Sequence, residues 1–427
     1  MSRAVEVGTG GTTPTARQDG PKVRPKRGER AGLVLLVLAG LTAIGPAMSD
    51  MYLAAFPDMS DDFQVGASQL QLTLTASMIG AGLGQLLVGP LSDRFGRRRP
   101  LIIGMTFFTA ASLLCALAPT YEWFIAGRVL QGLTGATGVV ISRAIVRDLY
   151  SGDDFVRFFA KLMLIFGLAP VLAPMVGTGL LNLGNWQYIF YALAGMAAIL
   201  LVGATTVLGE THPPERRSSG GVVGALKLMR VAVRDRRFVL LAVGNGFASA
   251  TMFVYIGSFS FIVQNVFDKS SVVFGLLFGL NACGFVAAGQ LTSRLVGRYS
   301  PRRLLMSGTT LQVCTTSFLA LFVLVTHDDA GTAGLIVVEI CCFLLMCSHG
   351  TMMPNSAALA LENQAAAAGT AVALMGCTQQ VTAAIIAPIG GIGGDSTAVP
   401  LGCATAVCAL IAFTMYTRAT RVRSVPV

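Results

Sequence analysis

Long apolar stretches alternate along the chain with short polar segments. A helix that crosses the hydrocarbon core of a bilayer needs about 20 mostly apolar residues, and twelve stretches have roughly that length. They are residues 33–56, 69–91, 100–118, 122–143, 157–180, 187–208, 238–264, 272–296, 303–326, 332–356, 366–390 and 397–417. One long polar segment separates the first six from the last six. The pattern predicts an all-α polytopic membrane protein with twelve transmembrane helices in two six-helix pseudo-repeats.

The polar segments divide the chain into five regions. Residues 1–30 are polar and rich in Gly, Thr and Arg, a composition typical of a disordered tail. We expect this basic tail to be followed by an N-terminal half (31–208), a linker loop (209–237), a C-terminal half (238–418) and a second short tail (419–427).

The composition excludes most other classes of protein. Of the 427 residues, 54% are hydrophobic and 12% are charged, whereas a soluble domain carries about 25% charged residues. The net charge of +10 does not indicate a nucleic-acid-binding face, because apolar stretches separate the basic residues. All nine Cys lie within apolar stretches. They indicate small buried side chains rather than a disulfide framework or a metal site.

The basic residues also predict how the chain is oriented. Placing the N-terminus in the cytoplasm puts 29 of the 31 Lys and Arg residues in inner segments, and only Lys269 lies in an outer one. The opposite orientation would violate the positive-inside rule. We therefore expect both termini to be cytoplasmic. The excess of Arg over Lys is typical of a GC-rich bacterial gene, so the inner or plasma membrane of a bacterium is the expected location.

A ten-residue motif follows the second apolar stretch and returns, altered, after the eighth. The first copy reads Gly-Pro-Leu-Ser-Asp-Arg-Phe-Gly-Arg-Arg and contains six candidate gating residues, Gly89, Asp93, Arg94, Gly96, Arg97 and Arg98. The second copy begins 200 residues later at Gly289 and has Ser293 in place of the acid. Glycine permits a short turn between antiparallel helices, and an acid beside arginines can form a gate. A loop that only orients the protein is the alternative.

The first copy resembles the signature of the major facilitator superfamily. Residues 49–53, 69–75 and 128–132 further resemble the Bcr/CflA-type drug:proton antiporters, and the likeness covers about residues 33 to 418. The fifth stretch is similar to the antiporter motif of such exporters and contributes Gly167, Pro170, Pro174 and Gly177. The resemblance implies that the first, fourth, seventh and tenth helices line a central cavity.

Three ionisable residues lie clearly within the apolar stretches, away from their ends: Asp50, Arg128 and Glu339. Such residues are costly in lipid and are functional candidates. At about 1.5 Å per residue, all three lie roughly 9 to 12 Å from the outer ends of their helices. We predict proton coupling by the three, with Asp50 as the carrier and Arg128 as its partner. The alternatives are a static Asp50–Arg128 pair that joins helices, and a Glu339 that is only a hydrogen-bonded structural acid.

The energy source and the transported compound complete the prediction. The sequence contains no Gly-Lys dipeptide and hence no P-loop, so we expect an ion gradient to drive transport. The family resemblance favours export of small uncharged amphipathic antibiotics, with chloramphenicol as the first candidate and bicyclomycin as the second. Proton-coupled uptake of a small metabolite is the alternative. We expect a monomer that binds drug, protons and lipid, with no cofactor, no metal and no enzymatic activity.

Overall fold

Twelve long helices make up the fold in a computed structural model, which describes residues 29–150, 152–217, 229–326, 331–362, 364, 368–392 and 397–422. The helices are α1 Glu29–Asp50, α2 Ala67–Phe95, α3 Arg98–Ala116, α4 Tyr121–Leu149, α5 Gly152–Leu181, α6 Gln187–Thr206, α7 Arg236–Phe261, α8 Ser271–Leu295, α9 Pro301–Thr326, α10 Gly331–Leu361, α11 Ala368–Ile386 and α12 Val399–Arg421. Helices satisfy every backbone polar group within one segment, which lipid requires.

The helices have the length and apolarity of membrane spans. Among the described residues, eleven segments are long and apolar enough to cross a bilayer. The remaining helix, α5, is 30 residues long, and the structure describes the side chains of only some of its residues. The predicted all-α polytopic fold is therefore confirmed.

Three predicted regions lie partly outside the described residues. The structure does not describe residues 1–28 of the first tail, residues 218–228 of the linker loop or residues 423–427 of the second tail. The described part of the linker contains one short 3-10 helix, Pro214–Arg216. The five-region division of the chain remains a prediction.

The two sets of six helices repeat the same packing. In the first set α2 packs on α4, α3 on α6 and α1 on α5. In the second set the corresponding contacts are α8 on α10, α9 on α12 and α7 on α11. The sets meet along two equivalent contacts, α2 with α11 and α5 with α8. The 200-residue spacing of the repeated motif thus corresponds to a repeated three-dimensional unit.

The two ends of the bundle differ in how the halves meet. At one end, a single apolar cluster joins residues of both halves, including Leu53 and Phe56 with Phe261 and Ile262. Toward the other end, which carries Arg97 and Arg237, the buried apolar residues form one cluster in each half. We call these the closed end and the basic end.

The first predicted span has an irregular end. Helix α1 contains Pro46 and ends at Asp50, although the apolar pattern extends to residue 56. The chain continues as a buried 3-10 turn, Leu53–Ala55, and then as a short helix, Phe56–Phe63. Pro57 lies in the first turn of that helix, where a backbone N–H would have no partner within the helix, so the N–H that proline lacks is not needed. The predicted loop over residues 57–68 is therefore partly helical.

Helix α7 is irregular at the same end of the bundle. It continues past Phe261 into a π-helical turn, Ile262–Val266. Within that turn Gln264 donates from Nε2 to the Ala54 carbonyl at 3.4 Å. The irregular ends of α1 and α7 therefore contact each other across the two halves, beside the last residue of α1.

Candidate functional site

A buried arginine organises the polar interior of the first half. The Arg128 guanidinium on α4 donates hydrogen bonds to the Met48 carbonyl (3.0 Å), to Ser77 Oγ (3.2 Å) and to Gln131 Oε1. Gln131 Nε2 in turn donates to Ser112 Oγ at 2.8 Å. These bonds connect α1, α2, α3 and α4 around one positive charge.

Aromatic rings complete the surroundings of this charge. The guanidinium carbon lies 4.3 Å from the ring centroid of Tyr52 and 5.9 Å from that of Phe190. Ring faces attract cations, most strongly where water is excluded. The Tyr52 hydroxyl shares a hydrogen bond with Thr73 Oγ1 at 2.9 Å, which fixes the ring. Neutral dipoles and π-systems therefore compensate Arg128.

The carboxylate of Asp50 lies at the end of α1 and the residue is only 4% exposed. Ser49 Oγ donates to it at 2.8 Å. No ion pair joins Asp50 to Arg128 among the described residues, and their partnership in proton coupling remains a prediction. The Nη1 and Nη2 groups of Arg128 bind other acceptors, including the carbonyl of Met48 two residues before Asp50, whereas its Nε has no hydrogen-bond partner within the described residues.

A second polar cluster occupies the other half. Asn281 Nδ2 donates both to the Tyr255 hydroxyl (2.9 Å) and to Glu339 Oε2 (3.2 Å). Within the described part of the chain, Glu339 Oε1 and Asn281 Oδ1 have no hydrogen-bond partner. Glu339 is thus anchored by one oxygen and has an unused acceptor on the other, which is compatible with either predicted role.

The two clusters occupy corresponding places in the repeat. Arg128 on α4 contacts α2 through Ser77, and Glu339 on α10 contacts α8 through Asn281. The halves therefore place opposite charges at related positions. Four residues after Asp50, Ala54 accepts a hydrogen bond from Gln264 of the second half. Asp50 is consequently positioned where the halves meet.

Helix α2 makes the polar contacts that hold the halves together beside these clusters. Gln71 Nε2 donates to the Gly257 carbonyl (3.1 Å) and to Ser258 Oγ (3.4 Å) on α7. Thr75 Oγ1 donates to the Ala384 carbonyl on α11 at 2.8 Å. All three partners are on the far side of the boundary between the halves, so separating the closed end would break these bonds.

At the basic end, the signature loop forms a compact ionic network. Arg97 is nearly fully buried and donates from Nη1 to Asp93 Oδ1 (2.5 Å) and Ser92 Oγ (2.7 Å). Its Nε donates to Asp148 Oδ2, at the end of α4, at 2.9 Å. Gly96 makes the turn with φ +89°, a conformation that glycine tolerates best. The structure thus brings Asp93 and Arg97 together as an acid–base pair.

The other predicted residues of this loop have separate surroundings. Arg98 Nη2 donates to the Thr205 carbonyl at the end of α6 at 2.7 Å. Arg94 lies over the ring of its neighbour Phe95, 5.2 Å from the centroid. Gly89 has open space where a side chain would project.

Sequence reasoning missed two acids of the network, Asp148 on α4 and Glu210. Its Oε1 accepts hydrogen bonds from the backbone N–H groups of Arg97 (2.8 Å) and His212 (2.9 Å), and its Oε2 accepts from Arg98 N–H at 3.3 Å. Burial acts to raise the pKa of Glu210, but these bonds outweigh it and hold the pKa below its usual value. The carboxylate caps the start of α3, where the helix dipole favours negative charge. No spacing in the sequence links residue 210 to this loop.

The second copy of the motif keeps the turn but not the ionic network. Gly297 has φ +98°, close to the value at Gly96. Ser293 Oγ donates to the Gln290 carbonyl of its own helix at 2.7 Å. The described ion pairs include none in this loop.

One motif residue of α5, Gly177, lies against the irregular end of α1. Pro174 and Gly177 are buried, and a Cβ added at Gly177 would overlap the carbonyl oxygen of Met51. Glycine therefore lets α5 approach the chain immediately after Asp50. The surroundings of Gly167 and Pro170 lie outside what the structure describes.

One further buried ionisable side chain, His349, lies on α10 beyond Glu339. Its ring stacks on Phe285 with centroids 6.0 Å apart. Neither ring nitrogen has a hydrogen-bond partner in the described region. The described residues contain no group of His, Cys, Asp or Glu arranged to hold a metal ion.

Comparison with known proteins agrees with this architecture. The family model described as Major Facilitator Superfamily matches residues 35–388. An uncharacterized MFS-type transporter of Bacillus subtilis, YdgK, is 36% identical over 382 residues, which cover 89% of this chain and 93% of that protein. The bicyclomycin resistance protein homolog of Haemophilus influenzae is 28% identical over 395 residues, covering 90% and 95% of the two chains.

The fold also resembles that of solved transporters. A POT family transporter in complex with a thioalcohol-conjugated peptide superposes with a TM-score of 0.73, covering 91% of this chain and 96% of that one. Its sequence identity of 12% supports the likeness of the fold alone.

Proposed function

This chain belongs to the major facilitator superfamily, and we propose that it exports small uncharged amphipathic drugs in exchange for protons. Membership makes it a multi-pass cell-membrane transporter rather than an enzyme. The proposal adds the direction of transport, the coupling ion and the class of substrate. It also includes cytoplasmic termini, which follow from the positive-inside rule, and a single chain as the working unit.

The observation that carries the proposal is the environment of Asp50. Its carboxylate is buried, receives one hydrogen bond from Ser49 and has no cationic partner within the described residues. Burying an unpaired negative charge in an apolar interior costs several kcal/mol. A proton removes that charge without changing the shape of the side chain, so it is the ligand that suits this position best.

The position of Asp50 connects proton binding to movement of the halves. It precedes the irregular segment of α1 that contacts α7 of the second half. Opening the closed end would hydrate the carboxylate and stabilise its charged form. Closing the same end would favour the protonated form. A proton can therefore load and leave in alternate conformations, as exchange requires.

A proton gradient is a sufficient energy source for this exchange. Moving one charge across the membrane contributes about 2.3 kcal/mol per 100 mV. The sequence has no P-loop that would bind the phosphates of ATP.

The interior favours a neutral substrate that carries hydrogen-bond donors. Arg128 is already compensated by protein groups, so it does not require an anionic drug. Glu339 Oε1 and Gln71 Oε1 are buried acceptors without partners in the described chain, and drug hydroxyl groups are suitable donors for them. Chloramphenicol, a neutral compound with two hydroxyl groups, is our first candidate. Bicyclomycin is the second, and a relative of this chain is named for resistance to it.

Drug accumulation in cells tests the direction and the energy source together. A drug-sensitive host expressing the chain is loaded with labelled chloramphenicol, then treated with an uncoupler while cellular ATP is kept high. We expect expression to lower accumulation and the uncoupler to restore the level of cells without the protein. Export that persists with the uncoupler and stops on ATP depletion would contradict the proposal. Uncoupler-sensitive accumulation above the control would indicate uptake instead.

A further inference from the structure

An apolar groove opens on the surface of the first half. It lies between α2, α3 and α4 and has a volume of about 480 Å³. Leu87, Leu91 and Phe95 line one wall from α2, and Ile103 and Phe107 line the other from α3. These five side chains are all exposed, so in a membrane they contact lipid rather than protein.

The length of the groove matches one leaflet of a bilayer. Its lining runs along α2 from Gly84 to Phe95, which spans about 16 Å at about 1.5 Å per residue. Half of the hydrocarbon core is about 15 Å thick. The groove extends from the middle of the bundle to the basic end, so its apolar part suits the acyl chain of a lipid in the leaflet at that end.

Positive charge is available at the basic end of the groove. Of the four arginines in the adjoining loop, Arg97 is bound by acids and Arg98 by a backbone carbonyl. Arg94 and Arg99 have no acidic partner among the described residues. Arg99 lines the groove itself, and Arg94 lies over the ring of Phe95, which also lines it. Two guanidinium groups without an acidic partner therefore lie at the basic end of the apolar groove.

We infer that this groove binds an anionic phospholipid, with one acyl chain between α2 and α3 and its phosphate between Arg94 and Arg99. Guanidinium groups bind phosphate through paired hydrogen bonds, and basic residues beside membrane helices attract anionic lipid headgroups. An uncharged drug would fill the apolar part but would leave both arginines uncompensated. The inference does not depend on drug export, because it rests on the groove and its arginines alone.

A tryptophan placed in the groove can report which lipid occupies it. Phe107→Trp adds a fluorophore to the wall, whereas the two native tryptophans, Trp123 and Trp186, lie near the closed end at the starts of α4 and α6. The full-length protein is reconstituted in phosphatidylcholine containing a few per cent of lipid with brominated acyl chains, which quench tryptophan on contact. We expect brominated phosphatidylglycerol to quench the added fluorescence at much lower mole fraction than brominated phosphatidylcholine.

Paired substitutions separate binding at the groove from general attraction to positive charge. Arg94→Gln with Arg99→Gln should weaken the apparent affinity for phosphatidylglycerol about 25-fold, taking about fivefold for each arginine. Arg302→Gln with Arg303→Gln removes the same charge from the corresponding loop of the second half and should leave the affinity unchanged. Phe107→Trp itself alters the groove. The unmodified chain and the two double arginine variants, all with Phe107 retained, are therefore also compared by native mass spectrometry, which counts the phosphatidylglycerol molecules that each protein retains.

Three results would overturn the inference. The first is equal quenching by the two brominated lipids. The second is an equal loss of affinity in both pairs of arginine variants, which would indicate only bulk attraction. The third is relief of quenching by chloramphenicol with no preference between lipids, which would assign the groove to the transported compound.

Discussion

Arg128 and Asp50 show two different solutions to burying a charge. The arginine has three hydrogen-bond acceptors and two aromatic rings around it. The acid has one hydroxyl donor. A permanently charged group that joins four helices stabilises the half that contains it, whereas a sparsely bonded carboxylate is free to gain and lose a proton. We therefore propose that Arg128 acts in positioning and Asp50 in proton transfer.

Arg128→Lys tests the positioning role. Lysine keeps the charge but lacks the planar fork of N–H donors with which arginine binds Met48 O, Ser77 Oγ and Gln131 Oε1 at once. Each buried polar group left without a partner costs about 1–3 kcal/mol, so we expect the thermal stability of the purified protein to fall clearly. Arg147→Lys, an exposed change on the same helix, is the control and should leave stability unchanged. Equal melting of both variants would show that the guanidinium geometry is not needed.

The sequence identified these charged residues but not their partners. Burial of Asp50, Arg128 and Glu339 could be predicted because each interrupts a long apolar run. Which groups contact them depends on side chains more than 20 residues away, such as Ser77 for Arg128 and Asn281 for Glu339. Opposite charges at similar depth suggested a pair, whereas the described bonds of Arg128 go to Met48 O, Ser77 Oγ and Gln131 Oε1.

At the scale of elements, the contact of α5 with the end of α1 fixes the backbone around Asp50. We predict that Gly177→Ala disturbs this contact, because its Cβ would overlap the Met51 carbonyl and overpacking typically costs about 1–3 kcal/mol. Transport rate per folded molecule should fall. Gly179→Ala is the matched control on the same helix, since no atom lies within 4 Å of its added Cβ. Identical transport by the two variants would rule out a role for the close approach.

The two signature loops predict unequal effects of similar substitutions. Asp93→Asn removes the acid that binds Arg97 Nη1, and a partly exposed pair of this kind contributes about 1 kcal/mol, or roughly fivefold in rate. Ser293→Ala removes a hydroxyl that bonds only to its own helix, so transport should be unchanged. The measurement is initial rate of drug export at equal expression. Equal rates in both variants would mean that Asp93 is not part of a gate.

Element boundaries were less predictable than element number. The apolar run over residues 33–56 gives no sign that the α-helix ends at Asp50, because the following 3-10 turn is equally apolar and buried. Hydropathy predicts whether a segment has apolar surroundings, but not which backbone hydrogen-bond pattern it adopts. The glycines of the repeated motif were more informative, since both Gly96 and Gly297 occupy the positive-φ turn that their position suggested.

For the molecule as a whole, the halves are in contact at one end and have separate cores toward the other. The arrangement corresponds to one state of a transporter that alternates between two. The contacts that must break to reach the second state include Gln71 with Gly257 and Thr75 with Ala384. These bonds are few and polar, so they can re-form with water or substrate when the closed end opens.

The central claim is that Asp50 carries the exchanged proton. The most direct test uses proteoliposomes with a pH-sensitive dye inside, a chloramphenicol gradient across the membrane, and signals normalised to folded protein. Three proteins are compared: the unmodified chain, Asp50→Asn, and Asp61→Asn, in which the same change is made at an exposed acid of the short helix.

We predict that a drug gradient drives protons in the opposite direction in the unmodified chain and in Asp61→Asn. Asp50→Asn should bind chloramphenicol with similar affinity, because the amide imitates the protonated acid, and should move no protons above background. Normal drug-driven proton movement in folded Asp50→Asn would contradict the account and make Glu339 the next residue to test.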